Sequence, residues 1–453
     1  MAHADFLGNA VTASDDATAR GIDDFVGGFL SYESVAANVL AAADADAGST
    51  LANAYAAMLW LFLEAPGAAA RAAPYLARAE AALRPATKRE RSVLAFTRAW
   101  AGEDMGQALA IGEAINAEFP RDLVILKLRQ YFLFNVGDAA GMLRAAEGVF
   151  DANRDVAQMH GMIAFAYEQC HLLEEAEHAA RQALELKRKE PWAHHALAHV
   201  MLTQGRIDEG AAFMEAASAE WSGLNSFMST HNWWHLALFY ISQGRFEDAL
   251  ALYDGRVWGV DKSYTQDQVG AVSLLARLEL AGVDVGDRWN DVADHLATRA
   301  ADTVLPFLTL QYLYGLARAE RPEADTLLNA VRSHAEHADA VWRAIALPAA
   351  EALVAHARGQ YAETVDKLGA ALPRLAAIGG SHAQRDLFEQ IWLDALIRNG
   401  QLGAAQQVLE LRRRYDRDSV PLNRALAETY AKLGLKPESE IAAQRARNRR
   451  SHR

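Results

Sequence analysis

The chain has 453 residues, 51% hydrophobic and 23% charged, with a formal net charge of −13. This excludes a disordered chain and suffices for a large buried core or an extended repeat array. The single cysteine, Cys170, excludes internal disulfides and four-cysteine metal sites, and the acidic balance argues against nucleic acid or anionic membranes as partners.

In chain order, MAHADFLGNAVTASDD lacks a basic segment followed by an apolar run, so it does not read as a secretory signal. The most apolar early stretch, AYAAMLWLFLEA, is too short to span a bilayer. The expected location is therefore the cytoplasm, with no membrane partner. APGAAARAAPYLARAEAALRP predicts closely packed helices with an Ala-Pro turn, and LKLRQYFLFNVGD supplies Arg129 and Tyr131 as weaker groove candidates.

From there a rhythm sets in, with one helix ending near a pivot and a second opening beyond it. The pivots are Gly137, His171, Gly205, Gly244, Gly282, Gly359, Gly400 and Gly434. From Gly137 to His171 and from His171 to Gly205 the step is 34 residues, the tetratricopeptide period. Gly205 to Gly244 widens to 39 and Gly359 to Gly400 to 41, before Gly434 restores 34. In MIAFAYEQCHLLEEAEHAARQALELKRKEP, Ile163, Ala164 and Tyr167 suit the first helix of a pair, and Ala176, Ala180 and Ala183 suit the second. No period-two strand pattern and no Asn-Gly hairpin is found. The expected fold is all-α, a tetratricopeptide-repeat-like right-handed superhelix (α–α solenoid) of roughly ten helix pairs. It is expected to form a single domain over residues 1–440. The basic end, 441–453, with Arg445, Arg447, Arg449, Arg450 and Arg453, is expected to fray.

Two segments stand out in neighbouring repeats. EPWAHHALAHV places His195 and His199 four apart, and STHNWWHLALF does the same with His231 and His235, so each pair shares a helix face. The register puts His194 in a packing position, the other four toward the groove, Trp233 inward and Trp234 at the groove's border. Three readings compete: helix packing, chelation of a divalent metal by paired imidazoles, and binding or acid–base work on a polar ligand. The third is favoured; HExxH and a carboxylate in the same motif are lacking, so no cofactor is expected and a divalent metal is the alternative. Trp192, Trp221 and Trp258 near these segments read first as packing residues, and as an aromatic lid second.

Later, IGGSHAQRDLFEQIWLDAL predicts a sharp turn at Gly379 and Gly380 and a capping box from Ser381 to Gln384. His382, Gln384, Arg385 and Asp386 then occupy the first turn of a helix, where backbone N–H groups favour anions and Arg385 offers a planar fork. A cap with an Arg–Asp surface pair is the competing reading. Phosphate loops, dinucleotide fingerprints, nucleophile elbows and kinase signatures are absent.

PWAHHALAHV, THNWWHLALF with the following GRFEDALALYD, and SHAQRDLFEQIW together resemble the tetratricopeptide repeat protein 38 family. The resemblance implies His195, His199, His231, Asn232, Trp234, His235, Gln384, Arg385 and Asp386 as site residues, whereas His194 and His382 fall outside the family's pattern. It is specific only in these blocks, matches the first hundred residues weakly, and implies no settled activity.

The expected function is therefore a helical-repeat protein whose His/Trp/Arg-lined concave pocket binds, and in one version chemically transforms, a polar or anionic small molecule. In that version His195, His199, His231 and His235 are the catalytic groups, and Asn232, Trp234, Gln384, Arg385 and Asp386 hold the ligand. The alternative is a non-catalytic scaffold for a peptide or protein partner.

Overall fold

The computed structural model describes residues 3–451; Met1, Ala2, His452 and Arg453 lie outside them. Among the described residues are 24 α-helices and one two-stranded antiparallel ladder, His3–Ala4 against Ala10–Val11. A two-residue strand is too short for alternation to show, which is why no strand was expected. The fold is all-α, built from tetratricopeptide-repeat-like helix pairs.

The pair Ala157–Gln169 and Leu173–Leu186 shows how sequence makes the repeat. In the second helix Ala176, Ala179, Ala180 and Ala183 are buried while Glu174 and Glu175 face solvent. Alanine at the crossing lets the two helix axes approach. The first helix is buried on nearly every side, because its own partner and the next pair cover it.

All eight pivots are left-handed, from φ 57° at His171 to φ 82° at Gly282. The residue after each pivot donates its N–H to the carbonyl five residues back, as in Asp138 to Leu133, Leu172 to Tyr167, Arg206 to Met201 and Gln360 to Ala355. This Schellman arrangement satisfies the last carbonyls of the first helix and turns the chain into the second.

The two widened steps also have a local cause. Regular first helices such as Leu123–Asn135, Ala157–Gln169 and Pro191–Thr203 hold 13 residues. Ser226–Gln243 holds 18 and His382–Arg398 holds 17. His382–Arg398 ends two residues before Gly400, as the regular helices do before their pivots, and Ser226–Gln243 ends one residue nearer Gly244, so the added turn lies at their N-terminal ends; before Gly400 the connector Leu372–Ile378 adds further length.

The chain divides into two compact units. The first runs to Ala196 and includes Glu220–Met228; the second comprises Leu197–Ala219 and the chain from Ser229 onward. Glu220–Met228 is tied into the first unit by Asn225 N–H to the Tyr32 carbonyl (2.7 Å) and Ser34 N–H to the Gly223 carbonyl (3.0 Å). In the same unit the Lys127 ammonium is buried, donates to the Phe29 and Leu30 carbonyls and lies 3.2 Å from the centre of the Tyr32 ring. Burial pushes this amine well below the usual lysine range.

The second unit closes on itself. Ser242 Oγ donates to Asp416 (2.6 Å), and Arg449 reaches Asp208 (2.8 Å) and Asp418 (3.8 Å). The Gly205 turn lies against the Tyr415 carbonyl. The basic C-terminal stretch is helical over Lys436–Ser451, with Ala442 and Ala446 buried. Among the described residues no helix is long and apolar enough to cross a membrane.

Candidate functional site

The Pro191–Thr203 helix passes from the first unit into the second between Ala196 and Leu197. His195 is 1% exposed and its ring stacks on Trp192 (centroids 4.3 Å apart), with Phe165 at 5.2 Å. His194, expected to pack, does so: its Nδ1 accepts from Trp221 Nε1 at 3.3 Å, and burial lowers its pKa to about 4.

One turn beyond His195, in the second unit, His199 is fully buried. Its ring lies 4.6 Å from His235 and meets His382 edge-on at 5.3 Å. Four-residue spacing on the Ser226–Gln243 helix brings His231 and His235 together, with Nε2 atoms 3.3 Å apart. Ring nitrogens of His199, His231 and His235 lie within 4.8 Å of one another. Burial, followed by the neighbouring His199, lowers the His231 pKa to about 3, so this ring is neutral near pH 7.

Trp234 forms the wall behind these rings. It lies parallel to His231 (5.3 Å, 7°) and edge-on to His235 (4.8 Å). It is 1% exposed, and its indole N–H meets no acceptor among the described residues. Trp234 is buried against the histidines, while Trp233, expected to pack inward, is half-buried with Arg256 above its ring at 5.1 Å. Asn232 is fully buried beside them.

The third block reaches the same place through His382. Ser381 and Gln384 form the expected capping box, each side chain bonding the other's backbone N–H. Arg385 turns back on the Gly380 and Gly379 carbonyls and so braces the turn that precedes it. Asp386 is bound by Arg412 at 2.7 Å, which also reaches Glu389 at 3.1 Å. Burial works to raise the Asp386 carboxyl, but Arg412, followed by Arg277, overrides it and brings the pKa to about 2.

Arg277, absent from the sequence reading, joins the second and third blocks. It is buried on the Thr265–Leu280 helix with its guanidinium 5.2 Å from the Trp234 ring centre. The same group donates to the Ala383 carbonyl (2.7 Å), the Gln384 carbonyl (3.3 Å) and the Ser273 hydroxyl. Burial lowers its pKa to about 10, against the pull of Asp386, so it remains charged. A lone arginine in the apolar run VGAVSLLARLEL was the available signal. Arg129 and Tyr131, the weaker groove candidates, bond Asn116 (2.9 Å) and Glu64 within the first unit.

These features define an all-α helical-repeat protein of the tetratricopeptide type with a histidine cluster inside its second unit. No family model matches the chain. Among solved structures, a human IFIT1 dimer with PPP-AAAA is 14% identical over 97% of this chain and 96% of its own, with a TM-score of 0.41. The P58(IPK) TPR domain is 12% identical over 80% and 93%, with a TM-score of 0.23. The Naa15/Naa10 structure bound to HypK-THB is 13% identical over 94% and 67%, with a TM-score of 0.25. At such identities the likeness concerns helical-repeat architecture alone.

One expectation is corrected by these structures. Net charge was read as excluding nucleic acid, yet IFIT1, a chain of similar helical-repeat architecture, is seen with PPP-AAAA and m7Gppp-AAAA. A whole-chain charge averages over surfaces and does not describe any one concave face. The exclusion is withdrawn.

Proposed function

We propose that this chain is a cytoplasmic protein of the tetratricopeptide repeat protein 38 type that binds a polar, anionic small molecule at His199, His231, His235 and His382. The observation carrying this reading is the Trp234 indole N–H, buried without an acceptor beside converging imidazoles. A buried donor left unsatisfied costs about 1–3 kcal/mol, and a ligand oxygen is the partner that removes this cost. The rings supply further donors or acceptors according to tautomer. Gln384 caps the third-block helix, Arg385 braces the turn before it and Asp386 pairs with Arg412, while Asn232 is buried beside the rings.

The test is native mass spectrometry of protein purified under mild conditions, followed by melting shifts with inorganic phosphate and small carboxylates. We expect a retained small molecule or a saturable shift, weakened about tenfold by Trp234→Phe, which keeps an aromatic wall and removes the N–H. No retained compound and no shift with any probe would reject the reading.

A second reading, a scaffold for a peptide or protein partner, is favoured by the face beside Leu402–Arg413. There Leu411 and Tyr415 are 54% and 67% exposed, next to a cleft of about 450 Å³ lined by Gln406, Gln407, Glu410, Arg413 and Arg414. Capture of a specific protein by the wild type and not by Leu411→Glu would favour it.

A further inference from the structure

The geometry points to a divalent transition-metal site whose ligands include His199, His231 and His235. A tetrahedral ion with nitrogens at about 2.0–2.1 Å holds any two of them about 3.3 Å apart. The Nε2 atoms of His231 and His235 are separated by 3.3 Å, so this i, i+4 pair already has the bite of a chelate. His199 adds a third nitrogen from the neighbouring helix, within 4.8 Å of both. Closing the triangle takes a small movement of one ring on a helix, well within side-chain freedom.

The donor set selects the chemistry. Imidazole ligands suit zinc, copper, nickel or cobalt and do not suit calcium or magnesium, which require oxygen. Buried rings on regular helices hold their directions, as a metal site requires, and the Trp234 wall fixes the face that His231 presents. Any response of the bound ion to phosphate rests on the ligand reading above; the three-nitrogen site does not.

The experiment uses the full chain without a histidine tag, stripped with chelator and titrated with cobalt(II). We expect about one equivalent bound, with visible absorption of a four- or five-coordinate nitrogen site that zinc abolishes and inorganic phosphate shifts. The double variant His231→Gln/His235→Gln should lose the spectrum, His199→Gln should weaken binding at least about tenfold, and exposed His178→Gln should leave it intact. Circular dichroism and melting establish that each variant folds, and the His199 variant keeps the test alive if the double variant does not. Absence of the cobalt spectrum in folded wild type, or an unchanged spectrum in folded double variant, overturns the metal site. Cobalt bound with no response to phosphate supports the metal site and counts against the ligand reading. A phosphate-dependent melting shift in metal-free protein with no cobalt spectrum does the reverse.

Discussion

Arg277 shows how much a single side chain contributes to bringing distant sequence blocks together. Its guanidinium lies against Trp234 and donates to two carbonyls at the start of the His382–Arg398 helix. A lysine at this position keeps the charge but loses the fork, so it cannot serve both carbonyls and the ring together. Arg277→Lys is expected to lower unfolding stability by about 1–3 kcal/mol, read by urea titration, and to weaken phosphate binding at the histidine cluster. Unchanged stability in this variant would mean that the third block is held in place by packing alone. The residue types of the site were legible because histidines and tryptophans at helical spacing are conspicuous; Arg277 was marked only as a lone arginine in an apolar run, since its carbonyl partners lie about a hundred residues away and pairing across that separation leaves no local pattern. The same limit misplaced Trp233: spacing fixes which side chains share a face, and only tertiary packing fixes where that face points.

At the scale of the element, the first turn of the Pro191–Thr203 helix holds two buried titrating groups with opposite pH dependence. Burial raises the Glu190 carboxyl to about 7, against the Ala193 amide and Lys127, and burial lowers His194 to about 4. For Glu190 the native chain keeps a proton that the unfolded chain releases above its ordinary 4.5, so stability falls as pH rises from 4.5 toward 7. For His194 the unfolded chain takes a proton below 6.5 that the native chain refuses, so stability falls as pH drops from 6.5 toward 4. Between pH 4.5 and 6.5 the two slopes oppose each other. Relative to wild type, Glu190→Gln is therefore expected to become less stable on acidification from pH 7 to 4.5, by up to about 3 kcal/mol, measured by urea titration at several pH values. The start of the His382–Arg398 helix depends on its box: Ser381→Ala should cost about 1 kcal/mol and raise amide exchange in residues 381–385. Caps and pivots of this kind were readable in sequence because their chemistry is local. Helix length was readable only indirectly: the 39- and 41-residue steps signalled added chain, and the structure places it as an extra turn at the start of the Ser226–Gln243 and His382–Arg398 helices. His382 sits in that added turn, which is how it reaches His199 although the family pattern omitted it.

On the scale of the whole molecule, the seam that closes the second unit makes one repeat turn unlike the others. Gly205 and Gly359 are both pivots, with φ of 70° and 73°, and an alanine at either must adopt a left-handed conformation at a cost of about 1–2 kcal/mol. At Gly359 a Cβ would meet nothing within 4 Å, so that cost is the whole effect. At Gly205 the same Cβ would stand 1.8 Å from the Tyr415 carbonyl oxygen, and a backbone atom cannot rotate away as a side chain can. Relieving the clash forces the Tyr415 segment to retreat, taking with it the Ser242–Asp416 bond and the Asp208–Arg449 pair. Gly205→Ala is therefore expected to destabilise the second unit by several kcal/mol more than Gly359→Ala, with hydrogen exchange accelerated across residues 415–423 and 436–449. Repeat arrays ordinarily propagate stability only to nearest neighbours. Accelerated exchange at positions more than two hundred residues from the substitution thus distinguishes a closed unit from an open row of pairs, and exchange confined to the helices flanking Gly205 would show that the seam carries no stability of its own.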